Sequence, residues 1–222
     1  NQLSDTLMWK IDTYYKTFDD LSVARLSKDH DLYAGLTDGE YAAIPRYDNN
    51  ADGDAFGLEV FVNKSFSDGW YGWVSVAYAE TRRKNTLTGE SFKYNYDQPW
   101  IINLVSSHEL NENWTLGVKW RYQSGQLITP VDSAVQDPTN PELYHPAYGE
   151  LNSERLPAYH KMDVRLDRDF HYSSWDMDLY IEVLNVYNRA NVTDYEYDPD
   201  YQSKEDVTDL PLLVSVGIKA TF

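Results

Sequence analysis

Cysteine is absent from all 222 residues, so no disulfide, thiolate metal site or cysteine nucleophile is available. Positive charge is scarce: 19 Lys and Arg stand against 36 Asp and Glu, a net charge of −17. A chain so acidic offers no basic face for phosphate, which argues against nucleic acid as a partner. Long apolar runs are missing too. Mean hydropathy is −0.61, and no segment approaches the ~18 apolar residues of a membrane-spanning helix. That excludes a helical membrane protein but not a membrane barrel, in which only alternate residues meet lipid. The opening NQLSDTLMWK has neither the basic region nor the apolar core of a signal peptide, so an exported protein of this kind would begin upstream.

Aromatic residues are abundant instead. They make up 15% of the chain, with 19 Tyr and 7 Trp against 3 Met. Their placement follows a period of two. In WTLGVKWRYQ, Trp114, Leu116, Val118, Trp120 and Tyr122 form one apolar set. Thr115, Gly117, Lys119, Arg121 and Gln123 form a polar or small set. A helix would mix the two sets, whereas a strand between two environments separates them. The same alternation runs through Leu7–Tyr15, Phe56–Val62, Met162–Leu166, Trp175–Val183 and Leu212–Phe222. It is weaker at 21–28, 70–84 and 99–110. The pattern predicts about nine antiparallel strands, most longer than the ~5–6 residues usual in soluble sheets.

The connections sort by length. Short turns are predicted at Phe18-Asp19-Asp20, Ser67-Asp68-Gly69, Asn111-Glu112-Asn113 and Tyr172-Ser173-Ser174. Long polar loops fall at roughly 29–53, 85–98, 129–156 and 190–210. Short turns at one end and long loops at the other are the layout of an outer-membrane barrel. Trp70, Trp114 and Trp175 each follow a short turn and form a periplasmic aromatic belt, where an amphipathic ring prefers to sit. Tyr78, Tyr122 and Tyr187 lie further along, about one apolar band (~25 Å) away. On this count the last strand ends at the short-turn side and the first, 6–17, descends towards it. Residue 1 is therefore expected at the external end, with the missing strands supplied from upstream.

The segments DAFGLEVFVNKSFSDGWYGWVSVAYAETR, YDQPWIINLVSSHELNENWTLGVKWRYQSGQLITP, RLPAYHKMDVRLDRDF and LYIEVLNVYNRANV resemble the C-terminal barrel strands of TonB-dependent outer-membrane receptors. The likeness runs from about residue 54 to the end and leans towards members with peptide-like or carbohydrate-like cargo. It implies an all-β, antiparallel up-and-down transmembrane β-barrel of about 22 strands with a plugged lumen. Residues 1–222 would be the C-terminal part of that one barrel domain, without its N-terminal plug and earlier strands. It further implies a Gram-negative outer membrane, with long loops extracellular and the C-terminus periplasmic. The cargo would be a scarce siderophore, peptide or oligosaccharide, imported without catalysis through the TonB system. Its other partners would be the lipid bilayer, lipopolysaccharide, the upstream plug and strands, and the assembly machinery. That machinery would read the terminal Phe222 with Ile218, Val216 and Val214. A passive porin-type channel and an adhesive or structural barrel are the competing readings.

One stretch fits a metal pattern. DNNADGDAFGLE matches the calcium-loop spacing, with Asp48, Asn50, Asp52 and Glu59 as oxygen donors. No helix flanks it, and a solvated loop accounts for it equally. No other cofactor is expected. The lumen face carries Lys119, Arg121, Lys161, Asp163, Arg165, Asp167, Asp176, Asp178 and Glu182, whose opposite charges are expected to pair across the ladder. The histidines at 30, 108, 145, 160 and 171 show no nucleophile or metal spacing. Tyr144, His145, Tyr148, Tyr195, Tyr197 and Tyr201 could stack on a sugar or peptide from the loops.

Overall fold

The computed structural model describes residues 2–24 and 34–222. The chain begins with β1 (Gln2–Ser4), β2 (Leu7–Ala24) and the helix α1 (Asp38–Ala43). Then come β3 (Tyr47–Ser67), β4 (Trp70–Asn85), β5 (Ser91–Lys93), β6 (Trp100–Asn111) and β7 (Trp114–Gln123). They are followed by β8 (Leu127–Ile128), β9 (Val131–Gln136), β10 (Tyr144–Tyr148) and β11 (Glu154–Arg155). The last are β12 (Tyr159–His171), β13 (Asp176–Leu184), β14 (Val192–Tyr197), β15 (Lys204–Thr208) and β16 (Leu213–Thr221). One antiparallel sheet dominates, in the order β1-β2-β3-β4-β6-β7-β12-β13-β16, with β5 on β4. It does not close: among the described residues β16 has no partner beyond β13, and on the side away from β3, β2 has only the short β1.

Register makes the two faces uniform. Val74, Leu104, Trp120 and Met162 stand in one row across β4, β6, β7 and β12. Val118, Val164, Val183 and Val214 form another. A slip of one residue anywhere would turn these rows to the charged side, so the pattern pins the pairing. No second layer covers the apolar face. Ala51, Ala55, Leu127 and Leu156 are the buried apolar residues among those described, while Val216 and Ile218 are 64% and 69% exposed. A soluble sandwich would hide that face. Here the wall is one residue thick, and between paired strands the backbone's polar groups are satisfied within the sheet, as lipid demands.

Two expectations are corrected. Residues 6–17 and 21–28 are not separate strands: β2 runs unbroken through Asp19 and Asp20 to Ala24, and 25–28 lie outside the described residues. The register slips by one residue between Phe18 and Leu21, and Asp20 takes a left-handed φ of 55°. This is a bulge, which absorbs an extra residue without ending the strand. The sheet therefore has eight long strands, and β2 ascends from the short-turn end. Gln2–Ser4 pairs with Leu7–Met8 there, on the same side as the C-terminus and not at the long-loop end. The turn at Asp68-Gly69 is as expected, with φ of 54° and 75° at its two central residues, the combination of a type I′ hairpin.

Apart from β5 on β4, the long loops carry small sheets of their own. β9 pairs with β10, β14 with β15 and β8 with β11. None of the helices among the described residues is long and apolar enough to cross a membrane.

If the outward face meets lipid, Ile181→Arg in the intact barrel should cost about 2–4 kcal/mol. Lys119→Ala, on the opposite face, should cost far less. Equilibrium unfolding from lipid vesicles measures both, and equal losses would count against the two-solvent wall.

Candidate functional site

Side chains that can meet a solute occupy the charged face and the loop ends. On the charged face, β12 sets Lys161, Asp163, Arg165 and Asp167 in a row by simple alternation. Most pairing is between next-but-one neighbours on one strand. Arg165 reaches Asp167 at 2.7 Å, Lys161 reaches Asp163 at 3.7 Å, and Lys10 on β2 reaches Asp12 at 2.7 Å. Asp178 to Lys219, at 3.6 Å, is the pair that crosses the ladder as expected. The reason lies in the register: Lys161 stands opposite Arg121, a like charge, so both turn elsewhere. Arg121 donates to Gln123 at 2.6 Å.

The Arg165 guanidinium also lies 3.7 Å from the centre of the Tyr180 ring. That ring in turn covers Gly217, where a Cβ would come within 2.3 Å of it. Glycine is what lets the ring lie flat on the wall. A shallow hollow of about 170 Å³ is lined here by Lys119, Asp163, Arg165, Asp167, Glu182 and their neighbours.

At the loop end, polar side chains take the place of strand partners. Asn191 accepts from the His160 N–H at 3.0 Å and donates to the His160 carbonyl at 3.1 Å. A carboxamide carries both donor and acceptor, as a peptide group does, so it completes the ladder beyond the end of β13. Asn185, buried and at φ 50°, donates to the carbonyls of Arg189 and Leu210 and accepts from the Arg189 N–H. Its own N–H donates to Asp163 at 2.9 Å, tying the loop to the charged wall.

Asp97, only 4% exposed, accepts from the Thr81 N–H at 3.1 Å and from Arg155 Nη2 at 3.0 Å. Arg155 Nη1 donates to the carbonyls of Asp97 and Gly125. This joins the 85–98 loop to the 129–156 loop. A hollow of about 790 Å³ opens beside it. Its lining includes Asn85, Glu90, Phe92, Tyr94, Glu150 and Asn152.

The loop tyrosines do not form one cluster. Tyr144, His145 and Tyr148 lie on β10, Tyr195 and Tyr197 on β14, and Tyr201 in the turn after it, 6.0 Å from the Tyr197 ring. Lys204 sits 3.7 Å from the centre of the Tyr195 ring and 3.3 Å from Glu154. His145 meets Asp137 at 2.9 Å. The Thr139 hydroxyl, then His145, and then the N–H groups of Thr139 and Asn140 hold the Asp137 carboxyl well below the usual carboxylate range.

The calcium expectation is corrected. Asp48, Asn50, Asp52 and Glu59 all lie on β3, an extended strand rather than a loop. From Ala51 onward the pairing with β4 is regular, so Asp52 and Glu59 project from opposite faces. Eleven residues of strand put Asp48 and Glu59 roughly 35 Å apart. Among the described residues no group of three or more acidic or histidine side chains could hold a metal.

Aromatic residues mark both ends of the long strands. Trp70 and Trp114 open β4 and β7, and Trp175 directly precedes β13. Trp70 stacks on His108 at 5.4 Å. Trp175 stacks between Tyr172 at 4.5 Å and Phe222 at 5.7 Å, while Phe222 stays 95% exposed. Val214, Val216 and Ile218 lie on β16 on that same outward face. At the other end, Phe56 contacts Tyr78 and Tyr78 contacts Trp100, while Tyr122 contacts His160 and His160 contacts Tyr187. Trp100 and His160 belong to this outer belt but follow no short turn, the one signal used to find the first belt. Of the other histidines, His108 bonds Ser106 at 2.9 Å and His171 bonds Asp176 at 2.9 Å. His30 lies outside the described residues.

Asp97, Arg155, Asn185 and Asn191 were missed. The crowding of asparagine in Asn185-Val-Tyr-Asn188-Arg189-Ala-Asn191 was the one available signal. Nothing in sequence links Asp97 to a residue 58 positions away.

No protein-family description and no curated protein matches this chain. Solved structures do. The ferric citrate transporter FecA superposes with a TM-score of 0.62 at 14% identity, over 98% of this chain and 29% of its own. The ferric-catecholate import receptor Fiu of E. coli K12 gives 0.60 at 13%, over 99% and 26%. The ferripyoverdine receptor of Pseudomonas aeruginosa gives 0.61 at 14%, over 99% and 25%. The chain thus spans less than a third of the length of these proteins. It has the fold of a portion of the barrel of TonB-dependent outer-membrane receptors.

Two tests follow from the loop end. Arg155→Met should leave the Asp97 carboxylate buried without its cation and cost about 3 kcal/mol. Adding Asp97→Asn should recover part of that loss, as read by limited proteolysis between residues 124 and 158. For Asp137, a depressed folded-state value means its stabilisation is complete above the unfolded carboxyl's value. It is lost only as pH falls through the lower folded one. The amides of Thr139 and Asn140 should therefore remain protected from hydrogen exchange at about pH 4, and lose that protection in Asp137→Ala.

Proposed function

We propose that this chain is part of the barrel of an outer-membrane receptor that imports a scarce solute into a Gram-negative cell. The observation that carries the reading is the wall itself. One face is apolar and belted by aromatic rings, the other is charged, and hairpin-bearing loops crowd one end. Such a wall separates lipid from a wet lumen, and its fold is that of receptors for iron chelates. The long loops face outwards and gather the solute, and the C-terminus faces the periplasm. Phe222, with Val214, Val216 and Ile218, is the segment read during assembly.

The partners are the bilayer with its lipopolysaccharide, the remaining strands, a plug within the barrel, and the TonB system acting on that plug. The chain binds and passes a solute; it performs no bond chemistry. Ser106 and His108 come nearest to a nucleophile pair, but they lie on the apolar face with His108 stacked on Trp70. The cargo classes are ferric siderophores, peptides and oligosaccharides.

Deleting the gene should abolish uptake of one labelled member of a panel drawn from those three classes. A protonophore should do the same to the wild-type cell. Uptake that persists unchanged under the protonophore would replace this reading with that of a passive channel.

A further inference from the structure

The chain's net charge is −17, yet the apolar face carries an excess of the other sign near its short-turn end. There Lys64 on β3 and Arg168 on β12 point outward, and the long strands place no acid on that half of the face. The two cations differ in what they touch. The Lys64 ammonium is fully engaged: it donates to the Ser67 carbonyl, the Ser67 hydroxyl and the Trp70 carbonyl at 2.9, 2.6 and 3.1 Å. It also sits 4.3 Å from the centre of the Trp70 ring. Its three protons close a turn.

Arg168 closes nothing. Its guanidinium lies 5.0 Å from the centre of the Trp114 ring and 4.5 Å from that of Phe170. It is exposed, and among the described residues it has no hydrogen-bond acceptor and no carboxylate within ion-pair distance. The two rings hold the group in place but supply no acceptor for its five N–H donors. One step nearer the strand centre on the same face lie Leu166, Ile181 and Val216. Its neighbour Trp114 stands in the short-turn belt, at the depth where an interfacial ring sits.

We propose that Arg168, seated between Trp114 and Phe170, binds the phosphate of a glycerophospholipid in the leaflet on the short-turn side. A planar guanidinium matches two phosphate oxygens at once, and the apolar residues towards the strand centre receive an acyl chain. A free phosphate ion would lack that second contact. The proposal rests on the outward face meeting lipid, as proposed above.

The test uses the intact barrel, purified in mild detergent, with phosphatidylglycerol added and bound lipid counted by native mass spectrometry. Arg168→Leu should lower retention about tenfold, the worth of a charge-assisted contact. Arg168→Lys should keep only a minor part of it, since an ammonium lacks the two-oxygen match, and Lys64→Leu should leave it unchanged. Equal retention by wild type and Arg168→Leu, in barrels that insert normally into vesicles, overturns the site and leaves the barrel reading intact. Displacement of the lipid by millimolar inorganic phosphate overturns the lipid as occupant. A wild-type barrel that does not insert at all overturns both readings.

Discussion

Cross-strand register is the constraint on which everything else rests. Each long strand presents one set of side chains to an apolar medium and the alternate set to water, so a shift of one residue would exchange them. The rows Val74–Leu104–Trp120–Met162 and Val118–Val164–Val183–Val214 are the visible result. No interior exists to rescue a misplaced side chain. The energy usually held in a core is held here by the fit of the wall to two solvents, together with the ladder bonds that keep the backbone out of lipid.

That constraint also explains which features could be read from sequence. Residues 114–123 separate into two sets so cleanly that strand, faces and belt position all follow from them. The bulge at Asp19 and Asp20 did not, because two acids after an aromatic have the composition of a turn. Only the continued pairing of Leu21 with Ala51 and Val23 with Asp48 shows that the strand goes on. The metal pattern failed for a related reason. Spacing along the chain says nothing about convergence once the backbone is extended, and Asp48–Glu59 is extended.

The loops were legible in composition but not in form. β9, β10, β14 and β15 are only five or six residues long and mix polar with apolar residues, so their pairing is hidden in segments that read as polar connections. The polar contacts that organise the loop end join distant positions: Asp97 with Arg155, and Asn191 with His160. Such contacts are set by where the register places the strand ends, and that is known only once the whole sheet is paired. The asparagines serve as substitutes for missing strand, which is why they cluster where β13 stops and β12 continues.

The strands differ greatly in length. β13 and β16 have nine residues each, about what a bilayer requires. β3 has twenty-one, and its nine residues before Phe56 rise roughly 30 Å past the outer ring of aromatics. The wall is thus low on one flank and tall on the other. The tall flank, with β2 and β4 beside it, is the part of the sheet that reaches furthest from the short-turn end. Beyond the ring of aromatics no apolar medium constrains alternate residues, so this part can vary in sequence while the span beneath it keeps its alternation.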